Sequence, residues 1–598
     1  MPRLALPSLL HSLLEGVRQR LRGSDLWFIA LALLVGLMAG ELTVLQSRAA
    51  HGLQRWLYGL EAGEQLSAAP EMALLTLLAL PIGGLVVGLL AVLANRLKRP
   101  LIDAVEANAL HGGRMSMRDN LIILFQTLVS NGSGASVGLE ASYTQMGSGT
   151  GSKLGIALRL RRADVRILVG AGAAGAIAAA FGAPLAGAFY AFEIVIGAYT
   201  PAALAPIALA SLAGAFVANQ AGMPPYLLPA ASVLDITAVD FALYGLLGGV
   251  CALLGIAIMR LIASIEGSVR RGPIPLWGRP VIGGMLLVPL ALVTPQVLSS
   301  GHGALHSDLI GQAPLLWIAA LLAMKCLASA ISLGFGFRGG LFFASLFMGT
   351  LTGSLFSGLF VLLVGVPVVD STSAALAGMA ALAAAVVGAP MTMAMLVLEG
   401  THNFLLASAV MCAVLVSSTL VRHRFGYSFS TWRMHLRGEA IRSARDIGWV
   451  RNLSAADMMR EGVSTAMRSL DVATFRSRFP LGSGTRVVLV DEDERYAGLV
   501  QIARLYADGV QGDAVIGDYA ISGPTALPGN ADVLKVMQHF DRTQTDEAAV
   551  IDADGRVLGV LSEAFVRKRY AEELDKVQRE LMGERVDENS IQRRSGEH

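Results

Sequence analysis

Two segments of the chain repeat one short pattern inside hydrophobic sequence. Gly182-Ala183-Pro184 and Gly388-Ala389-Pro390 are each followed, nine residues after the proline, by a glutamate, Glu193 or Glu399. In both copies the acid lies at the end of an apolar stretch. Self-similarity of this kind indicates a fold made of repeated structural units. The chain is therefore predicted to contain two related halves.

A second pair of segments has nearly the same offset. Residues 138–142 are Gly-Leu-Glu-Ala-Ser, and residues 340–345 are Gly-Leu-Phe-Phe-Ala-Ser. Helices that begin at a glycine inside apolar sequence, once in each half of the chain, are typical of transport proteins with internal repeats. We therefore predict two re-entrant helices, beginning near Glu140 and Leu341 and pointing at one place in the middle of a bilayer. Such a chain is expected to move a small ion.

The composition restricts the fold class. The chain is 54% hydrophobic and only 15% charged, which is too little charge for a soluble surface. Stretches long enough to cross hydrocarbon carry no charged residue; these are residues 72–95, 167–192, 194–234, 241–259 and 371–398. We predict an all-α polytopic membrane protein with an inverted repeat and re-entrant helices, and the lipid bilayer is its first expected partner. The net charge of +2 gives no reason to expect nucleic acid.

Charged sequence returns at defined points and divides the chain. The predicted parts are a cytoplasmic N-terminal leader (1–24), a transmembrane domain (25–438) with halves at about 25–235 and 236–438, two soluble modules (453–515 and 516–577) and a disordered tail (578–598). Basic residues lie on both sides of the membrane region, at 18–22 and 422–424. They predict that both termini face the cytoplasm of an inner or plasma membrane, with an even number of crossings.

The two soluble modules have the pattern of an α/β fold. Residues 486–491 and 497–500 form one predicted hairpin, and residues 548–552 and 557–561 form another across an Asp-Gly turn. Helical sequence flanks each hairpin. This arrangement resembles a pair of CBS domains, small modules that often bind adenine nucleotides.

The membrane part resembles the CLC chloride channel and transporter family. Residues 138–147 are similar to the family signature in which a helix starts at Gly-Arg/Lys-Glu-Gly-Pro, and residues 339–349 are similar to its Gly-Gly-x-Phe-x-Pro motif. Residues 325–336, which precede the second motif, and the two Gly-Ala-Pro segments match as well. CBS pairs follow the membrane domain in many family members, so the resemblance covers nearly the whole chain after the leader.

The resemblance implies an anion site built from backbone. It implies that the amides of Leu341 and Phe342 line a central site and those of Leu139, Glu140 and Ala141 line an outer one. Helix N-termini suit this task because they offer free N–H groups and a positive dipole end without a trapping charge. Glu140 would compete with the anion as a tethered carboxylate and leave when protonated, because an acid inside a membrane segment is costly and usually functional. The family also forms homodimers with one pathway in each subunit.

Four positions depart from the family pattern or are ambiguous within it. Pro100 occupies the place of a serine whose hydroxyl contacts the anion, and proline there accompanies nitrate preference in some plant members. The pore tyrosine corresponds either to Tyr427 or, by the better match downstream, to Ser430. Ile194 occupies the place of the exchangers' inner proton glutamate, as an apolar residue does in channel members.

These departures leave the transport mode open. The favoured hypothesis is a CLC-type channel for chloride and other small monovalent anions, gated by Glu140. The first alternative is a proton-coupled chloride exchanger of the same family. The second alternative, from another class, is a membrane-anchored sensor based on the CBS pair.

The sequence gives little support to the sensor or to an enzyme. Nucleotide-binding CBS modules place Ser/Thr and then Asp after the hairpin, whereas this chain has Gln501 and Arg504 in one copy and Ser562 and Phe565 in the other. We therefore expect no cofactor, and nucleotide binding is doubtful. No nucleophile–base pair or metal-ligand spacing is evident, and Cys251, Cys326 and Cys412 lie alone in apolar runs.

Three further charged residues in the membrane region are given structural roles. Glu193 and Glu399 each end an apolar run and are predicted to lie at helix ends near the membrane interface. Lys325 is predicted to snorkel towards the interface or to lie at a helix end.

Overall fold

The chain forms two compact units, Met1–Asp446 and Ile447–His598. The structure is a computed structural model, and it describes residues 24–61, 63–69, 72–97, 101–223, 237–305, 313–365, 369–436, 453–460, 462–483, 486–521, 526–543 and 545–582. The predicted leader therefore lies outside the described residues, except for Ser24.

The first unit is helical throughout its described length. Its first half contains helices α1 (Asp25–Tyr58), α2 (Leu74–Leu77), α3 (Ala79–Asn95), α4 (Ala104–Leu110), α5 (Met117–Gly132), α6 (Glu140–Ala157), α7 (Arg162–Phe181), α8 (Pro184–Tyr190) with a π-helical extension (Ala191–Ile196), and α9 (Pro201–Gln220). Its second half contains α10 (Ala238–Arg271), α11 (Gly278–Val293), α12 (Leu315–Gly334), α13 (Phe342–Val364), α14 (Ser371–Val387), α15 (Pro390–Thr401), α16 (Phe404–Arg424) and α17 (Phe429–Leu436). Short 3₁₀ turns lie at Leu66–Ala68 and Pro295–Val297.

The helices have the length and composition of membrane spans. Among the described residues, eight helical spans are long and apolar enough to cross a bilayer, and shorter apolar helices lie between them, including α11 and α14. Large apolar side chains such as Leu75, Leu316 and Phe404 are exposed on these helices, which is the arrangement expected where lipid replaces water. The predicted all-α, multi-pass membrane fold is confirmed.

The same helix packing recurs in the two halves. α6 crosses α7 where Gly147 faces Gly172, and α13 crosses α14 where Gly349 faces Gly378. A Cβ atom at any of these four glycines would overlap the backbone of the facing helix. Small residues at a crossing let the backbones of two helices come into contact. This close packing holds the helices together, because lipid provides no hydrophobic driving force between them. The duplication predicted from the sequence thus corresponds to a repeated helix pair.

The two glutamates of the Gly-Ala-Pro repeats hold the halves to each other. Glu193, in the π-helical extension of α8, accepts hydrogen bonds from the amides of Met391 (2.9 Å) and Thr392 (3.0 Å) at the start of α15. Glu399, near the end of α15, accepts bonds from the amides of Leu185 (2.7 Å) and Ala186 (2.9 Å) at the start of α8. Each acid therefore caps the helix of the other half, where a negative charge is favourable. Both acids lie near helix ends, as predicted, and each contacts a helix of the other half; their place near the membrane interface stays a prediction.

The second unit is a small α/β region with two three-stranded sheets. The first contains β1 (Thr465–Met467), β2 (Arg486–Val490) and β3 (Tyr496–Gln501), and the second contains β4 (Ala526–Pro528), β5 (Glu547–Ile551) and β6 (Val557–Ser562). In each sheet the first strand is parallel to the second and the second is antiparallel to the third. The helices are α18 (Ala455–Met458), α19 (Val472–Arg478), α20 (Val533–Thr543) and α21 (Glu563–Met582), with 3₁₀ turns at Ala503–Tyr506 and Ile516–Tyr519. Both predicted hairpins are present.

The division into modules at residues 515 and 516 needs correction. The turn Ile516–Tyr519 packs in the core of the first sheet, and the Ile516 amide donates to the Leu470 carbonyl (2.9 Å). Conversely, Ala455 of α18 belongs to the core of the second sheet and donates to the Ala531 carbonyl (2.8 Å). The first module thus continues past residue 515, and its predicted start belongs to the second module. Sequence order could not reveal this exchange because it depends on non-local packing.

The predicted tail (578–598) begins inside a helix. α21 continues to Met582, and residues 583–598 lie outside the described residues.

Candidate functional site

The starts of α6 and α13 lie side by side. Gly138 and Gly340 form an isolated antiparallel bridge, in which the Gly138 amide donates to the Gly340 carbonyl (2.9 Å) and the Gly340 amide donates back (3.0 Å). α6 begins at Glu140 and α13 at Phe342, two residues after each bridging glycine. The bridge therefore brings two helix N-termini from opposite halves to one point inside the first unit.

The helix tips present their amides at this point. The first N–H groups of a helix have no acceptor within that helix, and the N-terminal end carries a partial positive charge. Leu139 is the N-cap of α6 and Leu341 the N-cap of α13, and neither uses a side-chain cap. The predicted amides of Leu139, Glu140 and Ala141, and of Leu341 and Phe342, therefore belong to two adjacent tips.

The Glu140 carboxylate lies between the two tips. The side chain is 5% exposed, and a Cβ atom on Gly340 would lie 3.0 Å from its Oε2 atom. A Cβ atom on Gly138 would overlap the same carboxylate. Backbone N–H groups of Glu140 itself and of Phe343 bond to the carboxylate, while Oε2 has no hydrogen-bond partner among the described residues. The bridging glycines thus leave a cradle for one small anionic group, and here that group is the carboxylate.

A cavity of about 400 Å³ reaches the carboxylate from one side. We call it the Ser430 cavity, and its lining includes Asp103, Thr144, Tyr190, Leu341, Phe342 and Ser430. Elsewhere in the lining, Glu266 pairs with Arg270 (2.7 Å) and lies 3.9 Å from Arg433. Because two arginines share one glutamate, this part of the cavity keeps a positive balance that favours anions.

A second cavity of about 420 Å³ reaches Glu140 from another side. We call it the His302 cavity, and its lining includes Arg48, His51, Arg55, Tyr143, Ser299 and His302. Among the described residues that line it, Glu140 is the only carboxylate. The His302 cavity is therefore basic, which raises the local concentration of anions.

Among the described residues, Glu140 alone is shared by the linings of the two cavities. With its carboxylate in the cradle, both cavities reach the same side chain. An anion could take the place of the carboxylate and meet the same amides. The arrangement can therefore bind a small anion and can use Glu140 as its competitor.

The structure separates the two alternatives for the pore tyrosine. Ser430, in α17, lines the Ser430 cavity. Tyr427 is absent from the lining of both cavities, and its hydroxyl lies 3.2 Å from the Nδ1 atom of His435. Of the two, only Ser430 has access to the region of Glu140.

Ile194 and Pro100 are the other two positions at which the sequence departs from the family pattern. Ile194 lies in the π-helical extension of α8 and packs near Val105 and Leu110, outside the lining of both cavities. Pro100 lies outside the described residues, so its contacts are not part of the structure.

The interpretation of Lys325 as a snorkelling or helix-end charge is wrong. Lys325 lies within α12, its side chain is 0% exposed, and its Nζ atom donates to the carbonyls of Val297 (3.0 Å), Leu298 (3.4 Å) and Ser299 (2.9 Å). Ser299 has a positive φ of 52° and lines the His302 cavity. The lysine thus holds a strained segment of the cavity wall, a long-range contact that periodicity cannot indicate.

Comparison with known proteins identifies the family. The profile of the voltage-gated chloride channel family matches residues 101–422. The chain belongs to this family. CLC-type anion transport, the main functional prediction, is thereby confirmed at the level of the family.

Individual relatives agree with this assignment. A ClcB-like chloride channel protein of Ralstonia nicotianae is 31% identical over 416 residues, which cover 64% of this chain and 91% of that protein. A solved slow cyanobacterial Cl⁻/H⁺ antiporter has the same fold, with a TM-score of 0.60, 22% identity and coverage of 69% of this chain and 97% of that one. A eukaryotic CLC transporter matches with a TM-score of 0.57 and 18% identity over 92% of this chain and 98% of its own. That last match is long enough to include most of the second unit.

Sequence reasoning missed two groups at the site. The amide of Phe343 contacts the Glu140 carboxylate although only Leu341 and Phe342 were predicted on that tip. Tyr190 lines the Ser430 cavity although nothing marked it within its apolar run. A tyrosine among alanine, phenylalanine and glycine residues was the one available signal. Within the described ranges, no group of three or more His, Cys, Asp or Glu side chains could hold a metal ion.

Proposed function

We propose that this protein is a CLC-type channel that conducts chloride and other small monovalent anions through the membrane, with Glu140 as its gate. The observation that carries the proposal is the position of the Glu140 carboxylate, between two helix tips and between two cavities that share no other residue of the described part of the chain. A buried carboxylate with one oxygen unpartnered is not explained by stability, because an unsatisfied buried acceptor is destabilising.

Gating follows from competition for the same donors. While the carboxylate is ionised and in the cradle, its charge and volume exclude an anion from the amides of the two tips. Protonation removes the charge, weakens its hold on those amides and lets the side chain leave. An anion then occupies the cradle, where neutral N–H donors bind it without a fixed cation that would trap it. Passage between the basic His302 cavity and the Ser430 cavity becomes continuous.

Ile194 favours a channel over an exchanger. Proton-coupled exchange needs a proton route to Glu140 separate from the anion route. The side chain at position 194 is apolar and lies outside the lining of both cavities, so it cannot carry a proton. The alternative is a proton-coupled chloride exchanger, and its support is the shared fold of the cyanobacterial antiporter.

Ion flux in reconstituted vesicles distinguishes the two modes. Full-length protein in liposomes would be given an outward chloride gradient, with chloride release and internal pH recorded together. The channel predicts chloride release without uphill proton movement, and faster release for Glu140→Gln at neutral pH. Proton uptake driven by chloride, and lost in Glu140→Gln, would establish the exchanger instead. Glu41→Gln is the matched control because Glu41 is exposed on α1 and lies outside both cavities.

Absence of anion flux in the wild-type protein, with flux recorded from a known anion channel in parallel vesicles, would contradict both modes.

We also propose that the second unit is a CBS pair that supports assembly of a homodimer and does not bind nucleotide. Two consecutive three-stranded sheets of equal topology support the assignment. Where an adenine-binding module would place its ribose acid, this chain has Arg504 and an exposed Phe565. Both termini would face the cytoplasm of an inner or plasma membrane. Calorimetric titration of the full-length protein with ATP, ADP and AMP should give no binding heat, and saturable heat would favour a nucleotide sensor.

A further inference from the structure

Tyr190 contributes an aromatic hydroxyl to the lining of the Ser430 cavity. It is the last residue of α8, and its ring packs on that of Phe342 with centroids 6.0 Å apart. Its hydroxyl interacts with the side chain of Thr144 and lies within electrostatic range of Glu140 and Asp103. Tyr190, Thr144 and Glu140 all line this cavity. The phenol therefore lies beside the route by which an anion would reach the cradle.

The hydroxyl proton of Thr144, a neighbour of Tyr190 in the cavity lining, is used within α6. Thr144 donates its own hydroxyl proton to the carbonyls of Glu140 (2.9 Å) and Ala141 (3.2 Å). In any hydrogen bond between the two hydroxyls, the donor would therefore be Tyr190. Rotation about the phenol C–O bond would turn this proton from Thr144 into the cavity without moving the ring. The ring itself is fixed by its contact with Phe342.

We propose that the Tyr190 hydroxyl donates a hydrogen bond to an anion bound in the Ser430 cavity beside the tips of α6 and α13. This inference rests on the proposed function. It adds a side-chain donor from α8 to the backbone donors of the two tips.

A phenol suits this position for a physical reason. It is a strong neutral donor, so it helps to replace the lost hydration of the anion without adding a fixed charge that would slow release. Two of the arginines that line the cavity, Arg270 and Arg433, lie at Glu266. A single O–H also has a preferred distance and direction, so it favours anions of one size. Tyr190 is therefore expected to affect both affinity and selectivity among halides.

The test removes one oxygen atom. Tyr190→Phe keeps the ring on Phe342 and deletes only the hydroxyl. It would be made in the full-length Glu140→Gln protein, whose neutral side chain leaves the cradle open to anions. Chloride and bromide would be titrated calorimetrically, and the chloride dependence of flux would be measured in liposomes. Tyr244→Phe in the same background is the control, because Tyr244 is 2% exposed and lies outside both cavities.

The expected result is a loss of chloride affinity of roughly tenfold or more in Tyr190→Phe, since a hydrogen bond to a charged group contributes about 1.5–3 kcal/mol. The half-saturating chloride concentration of flux should rise, the ratio of chloride to bromide affinity should change, and the anion-free melting temperature should match the control.

Chloride affinity within about twofold of the Glu140→Gln parent, or an equal loss in Tyr244→Phe, would overturn this inference while leaving the proposed function intact. If the parent protein itself neither binds nor conducts chloride, the proposed function fails first. The two failures are therefore distinguishable.

Discussion

Glu140 and Lys325 are both ionisable side chains buried in the membrane unit, but their surroundings differ. Glu140 keeps one oxygen without a partner and adjoins two cavities. Lys325 directs its ammonium group at three backbone carbonyls and adjoins neither. One oxygen of the Glu140 carboxylate can thus still accept a hydrogen bond, whereas the N–H groups of Lys325 already donate to backbone carbonyls. The same type of sequence signal, a charge inside an apolar run, therefore has two meanings.

Lys325→Met is expected to destabilise the protein because three buried carbonyls lose their donor. With each such loss contributing about 1 kcal/mol or more, the free energy of unfolding should fall by roughly 3 kcal/mol. The melting temperature of the purified protein in detergent measures this directly. Lys153→Met, on the exposed face of α6, should have little effect. Equal melting temperatures for the two variants would contradict the structural role.

The two halves of the membrane unit contact each other where helix ends from one half meet those from the other. The Gly138–Gly340 bridge joins the tips of α6 and α13, and Glu193 and Glu399 join α8 and α15. In both cases one half of the repeat completes the helix terminus of the other. A helix end inside a membrane has no water to satisfy it, so such exchange supplies partners that lipid cannot provide.

Glu399→Gln should weaken the contact between α8 and α15. The amide keeps an acceptor for one of the two N–H groups of α8 but loses the charge that interacts with the helix dipole, which amounts to about 1–2 kcal/mol in partly buried geometry. Thermal unfolding should show a lower melting temperature, and Glu193→Gln should behave alike. Glu41→Gln, on the exposed side of α1, serves as the control. The reciprocal capping would be refuted if all three variants melted together with the wild type.

His539 gives the second unit a predicted pH dependence. The side chain lies in α20, is 7% exposed, and its Nε2 atom has no hydrogen-bond partner among the described residues. Burial, with repulsion from Arg542, lowers the pKa of His539 below its usual 6.5. As the pH falls through 6.5, the unfolded state therefore binds more protons than the folded state. The free energy of unfolding of this module is thus at its full value above that pH and decreases below it.

Hydrogen exchange of the full-length protein at pH values about one unit below and above 6.5 tests this prediction. After correction for intrinsic rates, protection of α20 and β5 should drop at the lower pH in the wild type and much less in His539→Gln. Peptides from β1 to β3 are the internal reference. Equal protection of α20 at the two pH values in the wild type would refute the assignment.

The whole molecule shows which features the sequence could predict. The repeat of Gly-Ala-Pro with glutamate, the charge-free stretches and the Asp-Gly hairpin are local patterns, and they indicated the halves, the membrane class and the α/β unit correctly. Glu140 was recognisable because an acid at a glycine-flanked helix start in apolar sequence is rare. These predictions needed only neighbours in the chain.

Long-range packing accounts for what the sequence did not indicate. The burial of Lys325 depends on a segment near Ser299, and the access of Tyr190 to the Ser430 cavity depends on α6 and α13. The exchange between the two soluble modules depends on Ile516 packing on the earlier sheet. In each case the contact joins residues that are far apart in the sequence, so neither composition nor the spacing of residues can predict it.

The central claim is that the Glu140 carboxylate and a chloride ion compete for one cradle between two helix tips. Calorimetric titration of chloride into the wild-type protein and into Glu140→Gln at neutral pH tests this most directly. The account predicts that chloride binds about tenfold more tightly, or better, to Glu140→Gln, because removing a tethered competitor of high effective concentration frees the site. Equal or weaker chloride binding by Glu140→Gln would contradict it.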